Sequence, residues 1–423
     1  MTVLWLCNSL LPEAGAKLGI AQTKPESWLE GMFERLRNER EMQFIYMYPS
    51  TEQRAEIRID NFVFVSYKQL TPLKYEEHQV GEFEHALEKY SPEIIHAFGS
   101  EYAHTYAMIK ACENKGCIDK AVISIQGLVS IYAKHYLAYM PEFEARRFTL
   151  RDILRRNNIM LQRKNFAERG RFEEDALRMT RNVIGRTDWD RACTTRLNPN
   201  VKYHFCNETL RPAFYQNAWN IDECEKHSIF TSQSLYPIKG FHLMLEAMAD
   251  IIKEYPDAHL YTTGSDPTKL SLMQKLRRSY YSVYLEKLIK RYGLKDHVTF
   301  LGYLDEAQMC ERYRRSHVFV CPSSIENSPN SVGEAMILGV PTVTSDIGGV
   351  KDQIEHNREG FVYQADAPYM AAYYVKRIFA SNELAQEISV AAREHALKTY
   401  DREKNNQDLL EIYKKIRESN VQK

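Results

Sequence analysis

One stretch in the second half of the chain decides the fold: CPSSIENSPNSVGEAMILGVPTVTSDIGGVKD, residues Cys321–Asp352. An apolar strand candidate, Val318–Val320, leads into it, and a polar loop follows before a helix that begins near Asn330–Val332. A further strand candidate, Thr342–Thr344, comes after that helix. Strand, helix and strand in this order are typical of a parallel sheet covered by helices.

The same alternation of short apolar runs and longer helical patterns extends along the whole chain. At 423 residues, the chain exceeds the roughly 250–300 residues at which one hydrophobic core stops growing. We therefore predict an α/β protein with two Rossmann-like, doubly wound domains. The other strand candidates are Val3–Leu6, Phe44–Met47, Phe62–Val65, Ile94–Ala97, Ala121–Ile125, Ile229–Thr231, Ala258–Thr262 and Val298–Phe300.

The boundary between the two domains is predicted near Asn217–Lys226, where an aromatic, helix-like stretch ends and a new strand begins. This gives an N-terminal domain over residues 1–222 and a C-terminal domain over residues 223–400. Residues 401–423 form a polar helix with one apolar face, which can cross back to the first domain.

Composition excludes several classes of protein. The 56 basic and 56 acidic side chains cancel, so nothing attracts nucleic acid to the chain in general. Eight cysteines without a CxxC pair argue against structural zinc. The apolar N-terminus, MTVLWLCNSLLPEAGA, has no basic residue before it and is interpreted as a first strand. With no apolar run of about 18 residues, we expect a cytoplasmic protein.

Two glutamates bracket the helix that begins near Asn330. Glu326 lies in the loop before the helix and Glu334 lies a turn inside it. The free N–H groups at a helix N-terminus form an anion site that suits a diphosphate. Carboxylates repel phosphate but accept hydrogen bonds from hydroxyl groups on either side of it. A nucleotide-sugar has such hydroxyls on its sugar and on its ribose.

Two more elements belong to this pattern. In SQSLYPIKGFHLMLEAM, Lys239 and Gly240 follow a strand and precede an amphipathic helix, where a lysine can neutralise phosphate charge. In TFLGYLDEAQM, a strand ends at Gly302, and the backbone of Tyr303–Leu304 can contact a base edge. No GxGxxG follows a strand, which disfavours a nicotinamide dehydrogenase.

These three elements, in this order and spacing, resemble the retaining glycosyltransferases of family 4, over most of Ser228–Asp366. The resemblance implies the GT-B fold, in which two Rossmann-like domains face a central cleft. It implies that Glu326 contacts the donor sugar and Lys239 the diphosphate, as the catalytic residues, and that Glu334 contacts the ribose. Further donor-binding positions implied by it are Ser234, Gly302, Tyr303, Leu304, Asn330, Ser331, Val332 and Gly15, the last in a loop, Glu13–Gly19, that caps the phosphates.

The first half resembles a subgroup of the family that serves capsular or exopolysaccharide assembly. The stretches that carry this are PEIIHAFGSEYAH, VISIQGLVSIYAKHY and IGRTDWDRACTTRLNPNVKYHFCNETLR. The acceptor-side candidates in them are Glu101, His104, Gln126 and Arg186. Family members often carry arginine at the position of Ser234 and histidine at that of Gln126. These two departures are the reason for considering a weakly active or inactive relative.

The implied enzyme is a retaining hexosyltransferase (EC 2.4). It moves a sugar from a nucleotide diphosphate donor, UDP favoured over GDP, to a hydroxyl of a glycan or lipid-linked glycan in surface polysaccharide synthesis. No metal or other cofactor is expected. The alternatives are a weakly active or inactive relative serving as a binding or assembly subunit, and a nucleotide-sugar epimerase of the same fold. Asp188-Trp189-Asp190 also forms a DxD, the metal signature of another glycosyltransferase fold.

A basic segment, Arg146–Lys164, contains seven basic residues and one acidic residue, Asp152. Leucines and an isoleucine recur in it at helical spacing, which predicts a basic amphipathic helix. Such a helix can lie on an anionic membrane, giving peripheral attachment at the cytoplasmic face. It can equally be a solvated helix packed on its own domain, or dock a partner protein.

Overall fold

The computed structural model describes residues 1–20, 27–71 and 73–421. The chain divides into two compact units. The first comprises Met1–Ile131, Ala167–Leu210 and Tyr400–Lys423, and the second comprises Tyr132–Phe166 and Arg211–Thr399. This differs from the predicted division at residues 222 and 223, because a segment from the first half of the chain belongs to the second unit.

Among the described residues, the first unit contains an eight-stranded sheet. Its strands are β1 (Thr2–Leu6), β2 (Gln43–Ser50), β3 (Ile57–Ile59), β4 (Phe62–Lys68), β5 (Ile94–Phe98), β6 (Ala121–Ser124), β7 (Asn182–Gly185) and β8 (Lys202–Phe205). They lie in the order β3-β4-β2-β1-β5-β6-β7-β8. All neighbours are parallel except β3, which runs antiparallel to β4.

The second unit contains a sheet of six described strands, all parallel, in the order β11-β10-β9-β12-β13-β14. They are β9 (Glu225–Thr231), β10 (His259–Thr262), β11 (Val298–Phe300), β12 (Ser316–Cys321), β13 (Thr342–Asp346) and β14 (Phe361–Gln364). The predicted α/β class with two Rossmann-like sheets is confirmed. Each predicted strand coincides with an observed one, whereas β3, β7, β8 and β14 were not predicted.

Helices connect the strands and cover the sheets. In chain order they are α1 (Pro12–Lys17), α2 (Ser27–Leu36), α3 (His78–Tyr90), α4 (Ala103–Asn114), α5 (Val129–His135), α6 (Glu142–Ala145), α7 (Leu150–Leu154), α8 (Ile159–Met179), α9 (Asp188–Leu197), α10 (Pro212–Gln216), α11 (Phe241–Ile251), α12 (Leu272–Leu276), α13 (Tyr280–Arg291), α14 (Glu306–Arg314), α15 (Asn330–Leu338), α16 (Pro368–Ala380), α17 (Asn382–Thr399) and α18 (Arg402–Val421). No helix in the described ranges combines the length and the apolar character that a bilayer crossing requires.

Two predictions of local structure are wrong. The expected phosphate-capping loop, Glu13–Gly19, is largely the helix α1, which Pro12 can begin because proline fits the first helical turn. The basic segment is not one helix but contains α7 and the start of α8. A capping box between Thr149 and Asp152 starts α7, and Arg156, with a φ of 46°, follows its end.

The sheet of the first unit separates two apolar clusters, because alternate side chains of each parallel strand point to opposite faces. Leu4, Leu6, Ile45 and Met47 belong to one cluster, with α3 and α4. The other cluster is aromatic and includes Trp5, Phe44 and Phe62, with α2 and α18 packed on it. The C-terminal helix α18 therefore belongs to the first unit, although its residues follow the second unit in sequence.

One hydroxyl group joins α18 to the sheet. Tyr413 accepts a hydrogen bond from the Trp5 Nε1–H at 3.0 Å and lies 2.6 Å from Nδ1 of His96. All three side chains are buried. Burial lowers the pKa of His96 to about 3, so its ring is neutral at ordinary pH.

We predict that Tyr413→Phe lowers the free energy of unfolding by about 1–3 kcal/mol, since it leaves buried polar groups of Trp5 and His96 unpaired. The measurement is urea unfolding followed by circular dichroism. Tyr373→Phe is the control because the Tyr373 side chain is 50% exposed, and its effect should stay within about 0.5 kcal/mol. Equal effects of the two substitutions would contradict the prediction.

Candidate functional site

The two predicted catalytic side chains meet in the second unit. Lys239 ends a short 3-10 helix, Pro237–Lys239, that follows β9, and Glu326 lies in the loop after β12. Because β9 and β12 are neighbours in a parallel sheet, their carboxyl ends lie side by side. The Lys239 ammonium donates to Glu326 Oε1 at 2.6 Å, and the Ser323 hydroxyl donates to the same oxygen at 2.8 Å.

The charge of this lysine is stabilised by its partner. Burial alone would lower the pKa of Lys239, but the charge of Glu326 and their hydrogen bond outweigh burial and raise this pKa above its ordinary value. The lysine is thus an ammonium at neutral pH. Its side chain remains 28% exposed, against 10% for Glu326, so it can reach a further anion.

Two glycines fix the loop that carries Glu326. Gly240 has a φ of +67°, and a Cβ there would lie 1.7 Å from the carbonyl oxygen of Pro322. Gly348 has a φ of +47°, and its Cβ would lie 1.8 Å from the carbonyl oxygen of Glu326. No other residue type fits either position without moving the loop. The close approach that glycine permits at position 348 is therefore made to protein backbone.

The N-terminus of α15 lies at the end of the same loop. Helix α15 begins at Asn330, after Pro329, as the sequence predicted. The N–H of Val332 donates to the carbonyl oxygen of Pro329 at 3.0 Å. The first N–H groups of a helix have no acceptor inside it, so Asn330 and Ser331 supply the donors at this terminus.

Glu334 is held by an arginine that the sequence analysis missed. Arg211 donates from Nε to Oε1 and from Nη2 to Oε2 of Glu334, each at 2.7 Å. The guanidinium also lies 4.6 Å from the ring centroid of Phe214. Burial raises the pKa of the Glu334 carboxyl, and the charge of Arg211 opposes this rise. The two residues are 123 positions apart, so no local pattern indicates the pair.

The candidate base-binding backbone lies beyond the end of β11. Gly302 and Gly264 exchange two backbone hydrogen bonds, of 3.1 and 2.9 Å. Tyr303 is 70% exposed, and Leu304 is half-buried. Ser234, predicted to bind the donor, is buried and donates its hydroxyl to the Thr263 carbonyl at 2.7 Å, so it supports this backbone.

The first unit has a small cavity of its own, of about 30 Å³, at the carboxyl ends of β5 to β8. Arg186 and Glu208 line it and form an ion pair, and the Gln126 side-chain amide also donates to Glu208. Arg186 Nε is buried and has no hydrogen-bond partner in the described part of the chain. Two of the four acceptor-side candidates thus meet here, with Glu208 as a partner that was not predicted.

The other two acceptor-side candidates lie elsewhere. His104 is 1% exposed within α4, with Nε2 2.8 Å from Asn8 and Nδ1 3.4 Å from Gln69. Burial lowers the pKa of His104 to about 3, and its ring holds α4 in the core. Its predicted contact with an acceptor is therefore not supported by its position. Glu101 is half-buried in the loop after β5, and Gly15, a predicted donor contact, is buried in α1.

Local structure explains the DxD sequence. Asp188 and Asp190 lie in the first turn of α9, where acidic residues are favourable. The carboxylate of Asp190 accepts from the Arg186 N–H at 3.0 Å and from the Tyr203 hydroxyl at 2.5 Å. The described residues contain no group of three or more side chains suited to hold a metal ion.

Comparison with known proteins shows a sequence similarity that lies within the second unit. Residues 215–395 match the model of the family "Glycosyl transferases group 1". Spore coat protein SA of Bacillus subtilis is 29% identical over 185 residues, which are 43% of this chain and 47% of that protein. The match to this relative thus spans about half of its length.

Solved structures resemble the whole chain. Sucrose-phosphate synthase from Thermosynechococcus elongatus covers 98% of both chains at a TM-score of 0.72 and 17% identity. HepE from Anabaena, in complex with UDP and glucose, covers 97% of this chain and 98% of its own, at a TM-score of 0.67 and 16% identity. Residues 215–395 are therefore similar to the group 1 glycosyltransferases, and the chain has the GT-B fold.

Proposed function

We propose that this protein transfers a sugar from a nucleoside diphosphate donor to a hydroxyl group of a glycan, with retention of the anomeric configuration. The observation that carries the proposal is the Lys239–Glu326 pair beside the N-terminus of α15. A cation, a hydrogen-bond acceptor and free helical N–H groups are the three features that a sugar diphosphate needs.

The donor would divide its groups among these residues. Its phosphate oxygens accept hydrogen bonds from the Lys239 ammonium and from the N–H groups of Asn330 and Ser331. The positive end of the helix dipole of α15 also attracts their charge. A phosphate at Lys239 competes with Glu326 for the ammonium, which leaves this carboxylate to accept hydrogen bonds from the donor sugar. Glu334 accepts the ribose hydroxyls in the orientation set by Arg211.

The base would contact the backbone of Gly302–Leu304. We favour uridine over guanosine because HepE, which shares the fold, has been solved with UDP and glucose. The exposed ring of Tyr303 is available to stack on either base. No metal is needed in this proposal, since positive charge comes from Lys239 and the helix terminus.

In the proposed reaction the bond between the anomeric carbon and the diphosphate oxygen breaks. The acceptor oxygen bonds to the same carbon on the same face. The departing diphosphate takes the proton of the acceptor hydroxyl, so no separate base is required. Lys239 and the N–H groups of α15 stabilise the negative charge that grows on the diphosphate. The protein otherwise contributes orientation of the reacting groups.

The acceptor would be recognised at the carboxyl edge of the first unit's sheet, beside Arg186 and Glu208. Arg186 Nε is a buried donor that lacks a described partner, and such groups are rare unless a ligand or water pairs with them. Glu208, held between Arg186 and Gln126, offers acceptor oxygens for sugar hydroxyls. We propose a glycan or lipid-linked glycan of surface polysaccharide synthesis as acceptor, with the enzyme at the cytoplasmic face of the membrane.

One observation favours a second candidate, a weakly active relative that serves as a binding or assembly subunit. The arginine common in the family is here Ser234, whose hydroxyl is bonded to Thr263, so this position supplies no charge for phosphate. Such a protein would bind nucleotide weakly and turn over no donor. An epimerase would instead release product from the donor without any acceptor.

We predict that Lys239→Ala and Glu326→Gln each lower the rate of sugar transfer by about 10²–10³, because each removes a contact made in the transition state. Transfer is measured as nucleoside diphosphate release with membrane-extracted lipid-linked glycan as acceptor. Lys351→Ala is the control because it removes a lysine from the same unit that is 69% exposed and paired with Asp346. Rates for the first two variants within a few-fold of the parent would overturn the assigned roles.

We predict that Arg211→Lys raises the donor KM by about tenfold while kcat changes little, because lysine keeps the charge but cannot make both bonds to Glu334. Steady-state kinetics with varied donor give both constants. In a Glu334→Gln background the same substitution should have little further effect, since the two side chains act as a pair. Additive effects of the two substitutions would contradict a positioning role for Arg211.

A further inference from the structure

Two segments of the second unit, far apart in sequence, form one surface. They are residues 142–156, which include α6 and α7, and residues 271–279, which include α12. The Thr149 hydroxyl donates to the Arg278 carbonyl at 2.8 Å across 129 positions of sequence. The Tyr280 N–H donates to the Asp152 carboxylate at 2.9 Å. We call the exposed part of these two segments the basic-apolar surface.

Large apolar side chains are exposed on this surface. Each of seven such side chains is between 55% and 76% exposed, whereas single scattered apolar residues are the rule on ordinary surfaces. Six of them lie in the short helices α6, α7 and α12, and Phe148 lies between α6 and α7, so the exposure is not confined to one turn. The seven are Phe143, Phe148, Leu150, Ile153, Leu154, Met273 and Leu276.

The charges on the same surface are mainly positive. Each of the three acidic residues has a partner: Asp152 is buried and bonded to the Tyr280 N–H, Glu144 bonds to the hydroxyl of Tyr280, and the exposed Glu142 forms an ion pair with Arg146. Arg155 and Arg156 are exposed and have no carboxylate partner among residues 1–20, 27–71 and 73–421. On α12 and after it, Lys275 and Arg277 are exposed and similarly unpaired within those ranges.

We propose that the basic-apolar surface docks on an anionic lipid membrane, with its apolar side chains among the acyl chains and its basic side chains at the headgroup phosphates. Charge complementarity and the side-by-side position of Leu154 with Arg155 favour this occupant, because a bilayer changes from hydrocarbon to phosphate within a few ångströms. The inference rests on the proposed function in one respect: a lipid-linked acceptor brings the enzyme to a membrane.

The surface is thus built from two chain segments, instead of the single amphipathic helix that the sequence suggested. Four unpaired basic side chains and seven apolar ones act together on the same membrane. Each basic residue near an anionic bilayer strengthens binding by roughly fivefold, and each exposed leucine-sized side chain that is buried contributes about tenfold or more.

The test is sedimentation of the full chain with vesicles of phosphatidylcholine that contain about one third phosphatidylglycerol, against vesicles of phosphatidylcholine alone. We expect binding to the anionic vesicles, weakened by salt, and little binding to the neutral ones. No binding to the anionic vesicles at low salt would overturn the proposal. That result would be the one expected if a partner protein covers this surface.

Two double variants assign the binding to the surface. Arg155→Gln with Arg156→Gln should weaken binding by roughly 25-fold, and Ile153→Ser with Leu154→Ser by about 100-fold or more. Val390→Ser with Leu397→Ser is the matched control, since these side chains are also exposed but lie on α17. Equal binding by all variants would overturn the proposal.

Donor binding is measured on the same variants by thermal shift with UDP. Because the altered residues lie outside the Lys239–Glu326 site, the shift should equal that of the parent. A protein that binds vesicles through this surface but fails to bind any nucleotide would refute the proposed function and leave the docking surface intact. Normal nucleotide binding without vesicle binding would refute only the docking surface.

Discussion

The ion pair between Lys239 and Glu326 is the interaction on which the rest of the candidate site depends. It joins the chain after β9 to the loop after β12, and Ser323 donates to the same carboxylate oxygen. Gly240 and Gly348 pack closely against that loop. A Cβ at either position would clash with a carbonyl oxygen of the loop. The loop then ends where α15 begins, so the cation, the carboxylate and the helical N–H groups keep fixed positions.

In both units the candidate site lies at the same edge of a parallel sheet. In a parallel sheet all carboxyl ends lie at one edge, and ligands bind there in open α/β folds. The second unit gathers Lys239, Glu326 and α15 at such an edge. The first unit gathers Arg186, Glu208 and Gln126 at the corresponding edge of its own sheet.

Much of this could be predicted from sequence because most of the buried parallel strands are apolar runs and because the stretch from Cys321 to Asp352 has a strand–loop–helix–strand pattern of its own. The strand β8 was missed because it is only partly buried and its sequence, KYHF, contains no apolar run. Arg211 and Glu208 were not predicted because their partners, Glu334 and Arg186, are distant from them in sequence. The acceptor contact expected of His104 is not supported because this residue lies in the first turn of α4, on the side of the helix that is buried.

The measurement that tests the account most directly is a thermal-shift titration of the full chain with UDP, GDP, ADP and CMP. A ligand at 100 times its Kd stabilises the folded state by about 2.7 kcal/mol, which corresponds to a shift of several degrees. We predict a clear shift with one nucleoside diphosphate, UDP being favoured, and its loss in Lys239→Ala. No shift with any of them, or an unchanged shift in that variant, would contradict the claim that this ion pair marks the donor site.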